Sequence, residues 1–184
     1  MVIVIRTALV IIWNVILMTK TNENLKEAFA GESQANRRYL AFAKKAETEG
    51  LPQAAKLFKA AAFAETVHAL NHINVMDDVK STLENLKTAV SGETFEFDEM
   101  YPNYIEIAKE EGNKKAVWSF DVANKVEKIH AGLFSKTIQA ITDKKEVTDT
   151  DYYVCEICGN TVESAAPERC PICGAPKQKF QKIQ

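Results

Sequence analysis

The chain has 184 residues, 46% of them hydrophobic and 26% charged, which is enough for one substantial core and a small second module. Its formal net charge is -2, with Lys and Arg scattered among Asp and Glu, so no basic stripe marks a nucleic-acid face. All four cysteines fall in the last 30 residues, a distribution that argues for one metal site in a reducing, cytoplasmic setting and against a disulfide framework.

Residues 1–18, MVIVIRTALVIIWNVILM, form an apolar run interrupted by Arg6 and Asn14. The run falls short of the roughly 20 residues that span a bilayer. It reads as an extension upstream of a soluble start at Met18. The rival readings are a membrane anchor or interfacial helix, a signal peptide without a small-x-small cleavage site, and a structural element that needs a covering surface.

From Thr19 the texture changes to interleaved apolar and charged residues, and four helices are predicted at about 22–49, 52–76, 82–111 and 113–141. Gly50-Leu51-Pro52 and Gly112 supply stop and start signals between the members of each pair. Ser81 or Thr82, with Glu84 close behind, can cap the third helix.

An internal repeat runs through these helices. NLKEAFAGES at 24–33 matches NLKTAVSGET at 85–94 with an offset of 61, whereas ETVHA at 65–69 matches EKIHA at 127–131 with an offset of 62. Two helical hairpins of one design follow, each with an apolar stripe to bury. The extra residue lies between Glu93 and Tyr101, since Glu32 to Tyr39 is one position shorter. An insertion inside a helix is absorbed by a π-bulge, predicted here between Glu93 and Pro102, with a proline kink as the alternative.

Glu65 and His68 share a helical face, as do Glu127 and His130, and Glu32 and Glu93 stand at matching heights in the partner helices. One glutamate from each of two helices plus Glu-x-x-His from each of the others is how a bundle core holds two metal ions. Charge balance explains the choice: two divalent ions offset four carboxylates that would otherwise repel one another and take up protons. The second hairpin adds Glu96 where the first has Ala35, which makes the two positions unequal. His72 is read as a neighbour of the site or a surface residue, and Tyr39, Tyr101 and Tyr104 as core residues or donors to the ligands.

The polar stretch 143–151 reads as a linker. Beyond it Cys155, Cys158, Cys170 and Cys173 form C-x2-C-x11-C-x2-C, each second cysteine followed by glycine. Four thiolates at this spacing suit tetrahedral zinc or iron equally.

From about residue 20 the chain resembles the rubrerythrin family, on the GES and GETFE segments, AETVHA, EMYP, VEKIHA and the cysteine-rich tail. The resemblance implies an all-α four-helix bundle of the ferritin-like class, followed by a small rubredoxin-like metal-binding domain. The expected boundaries are an N-terminal extension at 1–18, a di-iron domain at 19–142, a linker at 143–151 and a rubredoxin-like domain at 152–184. It further implies Glu65 and Glu127 as bridging carboxylates, Glu32 as a terminal ligand to one iron, and Glu93 and His130 as terminal ligands to the other. Glu96 and His68 become a redox-dependent pair that alternates on one iron, and they are the expected catalytic residues. The four-cysteine site would hold one iron, with zinc as the alternative, and Tyr152, Tyr153 and Phe180 would build a small aromatic core around it.

The expected activity is that of a non-haem di-iron peroxidase of oxidative stress, reducing hydrogen peroxide to water with electrons relayed through the cysteine-bound iron. The alternatives are a ferroxidase or iron-handling protein and a non-enzymatic, zinc-bound structural protein. An external electron donor such as a rubredoxin or its reductase is expected. So is a homodimer, with exchange of helices between subunits an open alternative, in which electrons cross from one subunit's tail to the other's bundle. The expected location is the cytoplasm, with membrane association through residues 1–18 as the lesser alternative.

Overall fold

The computed structural model describes residues 19–147 and 149–184, so the readings of residues 1–18 lie outside the described residues. Among the described residues no helix is long and apolar enough to cross a membrane. The chain divides into two compact units, the first ending at Val79 and the second beginning at Lys80.

The first unit is a helical hairpin of α1, Lys20–Thr48, and α2, Pro52–Val75. Thr19 caps α1 by accepting from the Asn22 N–H, and Pro52 opens α2 at the position where its missing N–H costs nothing. The turn between them satisfies the last carbonyls of α1 in the six-to-one pattern. Leu51 N–H donates to Ala46 at 2.9 Å and Gly50 N–H to Glu47 at 3.1 Å, with Gly50 at φ 70°. The helices approach along a seam of buried alanines, Ala43 and Ala46 on α1 and Ala55, Ala62 and Ala69 on α2. Asn36 is buried in this seam and tied across it, its Nδ2 donating to Ala62 O at 2.7 Å and to Thr66 Oγ1 at 2.8 Å. These bonds satisfy a polar group that would otherwise oppose burial.

The second unit begins with α3, Thr82–Phe95, opened by a reciprocal capping box between Ser81 and Glu84. A π-turn, Glu96–Met100, follows, closed by the bond from Tyr101 N–H to Glu96 O, and the helix resumes as α4, Tyr101–Glu110. The bulge therefore lies inside the predicted interval, and Pro102 sits in the first turn of α4, where its ring needs no donor. The turn into α5, Lys114–Thr142, repeats the first hairpin: Asn113 N–H reaches Ala108 O at 2.8 Å, Gly112 N–H reaches Lys109 O at 3.0 Å, and Gly112 has φ 69°. Glycine serves at both turns because a side chain is strained in this left-handed conformation.

Two ring pairs show how completely the bulge absorbs the insertion. Tyr39 and Phe58 lie 6.2 Å apart at 36°, and their counterparts Tyr101 and Phe120 lie 6.2 Å apart at 37°. The repeat is thus in register again beyond the π-turn.

After Thr142 the polar segment leads to a three-stranded antiparallel sheet of β1, Tyr152–Cys155, β2, Thr161–Glu163, and β3, Phe180–Lys182, in the order β2-β1-β3. Tyr153 pairs with Val162 on one side and Lys182 on the other. Tyr152, Tyr153 and Phe180 are half-buried, while Cys155, Cys170 and Asn160 are the buried side chains at the centre of this module.

Candidate metal centre

In the first unit Glu32 projects from α1 and Glu65 and His68 from α2, and one donor atom from each falls within 4.8 Å of the others. His68 Nδ1 lies 2.9 Å from Glu65 Oε2 and 3.9 Å from Glu32 Oε1. The second unit repeats this arrangement with Glu93 of α3 and Glu127 and His130 of α5. There His130 Nδ1 lies 2.8 Å from Glu127 Oε2 and 3.8 Å from Glu93 Oε1. In both triads the histidine turns Nδ1 toward two carboxylates, an arrangement that suits a shared cation.

The electrostatics of the second triad agree with that reading. Burial, and then repulsion from Glu127, raises the Glu93 carboxyl above the usual glutamate range. Burial, and then the charge of Glu93, does the same to Glu96. Glu96 opens the π-turn and feels Glu93 and His130, yet it stands outside the three converging donors. Tyr101 is held protonated, first by burial and then by Glu96, Glu127 and Glu93, which leaves its hydroxyl available as a donor. Tyr39, Tyr101 and Tyr104 pack in ring clusters with Phe42, Phe58 and Phe120. His72 is half-buried in the last turn of α2.

A carboxyl raised in the folded state makes the folded chain bind more protons than the unfolded one. Metal-free stability should therefore fall as pH rises from about 4.3 through the raised values. A Glu93→Gln/Glu96→Gln variant is expected to be more stable than wild type at pH 7 without metal. That advantage should vanish as pH falls toward the ordinary glutamate range, and urea midpoints across a pH series would read it.

The four cysteines form the third cluster. Cys155 Sγ and Cys173 Sγ are 3.8 Å apart, and Cys158 Sγ and Cys170 Sγ 3.6 Å apart, with all four thiols free. A disulfide requires about 2.05 Å, whereas the edge of a tetrahedron with metal–sulfur bonds of about 2.3 Å is about 3.8 Å. These two edges thus match those a metal requires, and all four sulfurs lie within 4.8 Å of one another. Burial drives the Cys158 thiol well above its usual range. Burial also opposes ionisation of Cys170, but the N–H groups of Cys173 and Ile172 outweigh it and bring that thiol to about 7. One thiolate forms readily, and the full set needs a cation. Asn160 Nδ2 lies 3.7 Å from Cys170 Sγ, a contact the cysteine spacing does not signal.

Within the second unit this module lies against α5. His130 Nε2 is 3.0 Å from Thr161 Oγ1, and Lys136 Nζ is 2.8 Å from both Glu163 oxygens. A Cβ built on Gly159 would sit 3.8 Å from Val126 Cγ1. The tail therefore reaches a helix of its own chain. The 12 residues of helix from His130 to Thr142 measure about 18 Å, and the nine-residue connection spans up to about 30 Å, so the tail doubles back along α5 with length to spare.

Paired helical hairpins that each carry a Glu/Glu/His triad, followed by a four-cysteine β-module, define a metalloprotein of the carboxylate–histidine helical class. The rubrerythrin family model matches residues 23–138, and the model of the rubrerythrin rubredoxin-like domain matches residues 153–181. Rubrerythrin-2 of Clostridium acetobutylicum is 37% identical over 175 residues, covering 88% of this chain and 95% of its own. Nigerythrin of Nitratidesulfovibrio vulgaris is 37% identical over 174 residues, covering 87% and 85% respectively. A solved structure of nigerythrin in a partially reduced state is similar at a TM-score of 0.54 and 36% identity, over 89% of this chain and 86% of that one. The chain belongs to the rubrerythrin family, with a ferritin-like helical region and a rubredoxin-like β-region. Its family-level function is that of a rubrerythrin-like di-iron oxidoreductase.

Proposed function

We propose that the chain is a non-haem di-iron peroxidase that reduces hydrogen peroxide to water and draws its electrons through iron in the four-cysteine module. The repeated triad carries this reading: the two sets of donors have matching Nδ1 geometry, as two positions for one kind of metal would require. Iron is favoured because a 36% identical nigerythrin has been solved in a fully reduced, all-ferrous state. When bound, the iron pair would supply the two electrons that cleave the oxygen–oxygen bond, and the cysteine-bound iron would replenish them.

The chain's own residues serve proton supply and charge. Reduction of one peroxide to two waters consumes two protons with the two electrons. Glu96, raised above the glutamate range beside Glu93, is the carboxyl best placed to hold and deliver a proton. The Tyr101 hydroxyl is kept protonated first by burial and then by the charges of Glu96, Glu127 and Glu93, so it is available to donate a hydrogen bond. Glu65 and Glu127 would bridge, Glu32 would hold one iron, and Glu93 and His130 the other, while Glu96 and His68 would exchange on a shared position as the oxidation state changes. His68 suits that role, since its side chain is 53% exposed against 26% for His130.

Each unit by itself leaves large apolar side chains exposed, among them Leu57, Phe63 and Leu70 in the first and Phe95, Ile107 and Trp118 in the second. Apolar surface of this kind calls for a covering partner. We propose that the hairpins join into bundles within a homodimer, by pairing inside one chain or by exchange between chains, so that the two triads form one di-iron site. A rubredoxin or its reductase would supply electrons from outside.

Stopped-flow mixing of the anaerobically iron-loaded, reduced protein with peroxide and with oxygen tests the reaction. The peroxidase reading expects peroxide to oxidise the helical site much faster than oxygen does. Rapid oxidation by oxygen with net retention of ferric iron would favour an iron-handling role instead.

A further inference from the structure

The two triads match closely around Nδ1 and differ at the far nitrogen of the histidine. Among the described residues His68 Nε2 has no hydrogen-bond partner, and its ring stands in the more open position. His130 Nε2 instead meets Thr161 Oγ1 at 3.0 Å, a residue 31 positions away in the four-cysteine module. Thr161 Oγ1 is itself 3.2 Å from Gly159 O, the carbonyl just after Cys158 in the metal-binding knuckle. That knuckle is closed by Gly159 N–H to Cys155 O at 2.8 Å and Cys155 N–H to Asn160 O at 2.9 Å.

Resting on the metal reading above, we infer that Thr161 is a positioning residue for His130, through which the folded four-cysteine module fixes one metal-ligating histidine of the helical site. A nitrogen that binds metal must present its lone pair. Once Nδ1 carries a metal ion in place of its proton, the imidazole proton sits on Nε2, which then donates to Thr161 Oγ1. The threonine hydroxyl has one proton, and it passes to Gly159 O. The two bonds run in a single direction, from imidazole to hydroxyl to carbonyl, and they select the Nδ1-binding tautomer. The bidentate Lys136–Glu163 ion pair and the apposition of Gly159 to Val126 hold the module at the distance this requires. Filling the four-cysteine site should therefore pre-orient His130 and leave His68 untouched, so the helical metal positions are unequal in their supports as well as in their carboxylates.

The test uses the full chain with zinc in the four-cysteine site and Co2+ titrated anaerobically into the helical site, followed by its visible bands. Thr161→Val, which keeps the shape and removes the hydroxyl, is expected to weaken Co2+ binding at the His130 position about 10-fold or more. Thr161→Ser should restore it. In the Co2+-loaded wild type, proton NMR should show a paramagnetically shifted imidazole N–H that exchanges slowly with solvent, and in Thr161→Val that proton should exchange rapidly. The NMR measurement on wild type needs no substitution, so it decides the matter even if the valine variant fails to fold. Equal Co2+ affinity in Thr161→Val and wild type, or a freely exchanging wild-type N–H, overturns the role of Thr161. Failure of wild type to bind Co2+ through His130 at all overturns the metal reading and this inference with it, a result distinguishable from the first because there the wild type binds.

Discussion

Replacing Glu96 by alanine is expected to slow peroxide turnover about 100-fold or more while changing folding stability by less than about 1 kcal/mol. Glu96 is the carboxylate with no counterpart in the first hairpin, where Ala35 stands, and it opens the π-turn beside Glu93. It stands apart from the three converging donors, and its burial disfavours the charged form, so the fold gains little from it. In the proposed mechanism its contribution would fall on the reaction, as a proton carrier and an exchangeable ligand. Steady-state peroxide reduction, set beside urea unfolding of the same variant, separates the two effects. Wild-type turnover in the alanine variant would remove Glu96 from the mechanism, and a large stability loss would make it a structural residue instead.

The second large effect is expected at Cys170. A β-module of three short strands, whose fully buried side chains are Cys155 and Asn160, has too little apolar core to fold without its metal. Metal binding in small thiolate modules contributes on the order of 10 kcal/mol, more than such a core supplies. Cys170→Ser should therefore abolish the iron–thiolate absorption and unfold residues 152–184, while the helical circular dichroism persists. Electron delivery from an external donor should fall about 100-fold or more. A single turnover of the pre-reduced protein with peroxide should remain fast, because it needs no replenishment. Loss of the single turnover as well would place the four-cysteine module inside the chemistry itself, beyond electron supply.

Much of this architecture is legible in the residues because the repeat states it twice. Gly50 and Gly112 mark two turns of the same geometry, and the GE and ExxH segments land on two triads whose distances agree to 0.1 Å. The shift in offset from 61 to 62 locates the π-turn at Glu96–Met100, since a helix that gains a residue between two fixed contacts has to widen there. The cysteine spacing indicates a tetrahedral site, while the choice between zinc and iron rests on resemblance, because thiolates accept both.

Other features depend on contacts between distant segments that carry no periodic signal. Asn36 reads as an ordinary polar position in a helix, and only the close approach allowed by alanines on α2 buries it against Ala62 O and Thr66. Thr161 reads as a strand residue, and its meeting with His130 depends on how the tail folds back along α5. The tail can meet its own helix because the reach of the nine-residue connection exceeds the length of α5 that it retraces, and the module lies along α5. Asn160 reads as an ordinary polar residue of the tail, yet it is fully buried with its amide 3.7 Å from Cys170 Sγ, a contact that depends on how the knuckles fold together.

Iron content is the most direct test of the account, measured per chain after anaerobic reconstitution of the wild type and of a Glu65→Ala/Glu127→Ala variant. One iron for each of the three donor clusters is predicted in the wild type, falling to one in the variant with the iron–thiolate absorption unchanged. A single iron in both proteins, bound by the cysteines alone, would contradict the claim that the paired hairpins hold metal.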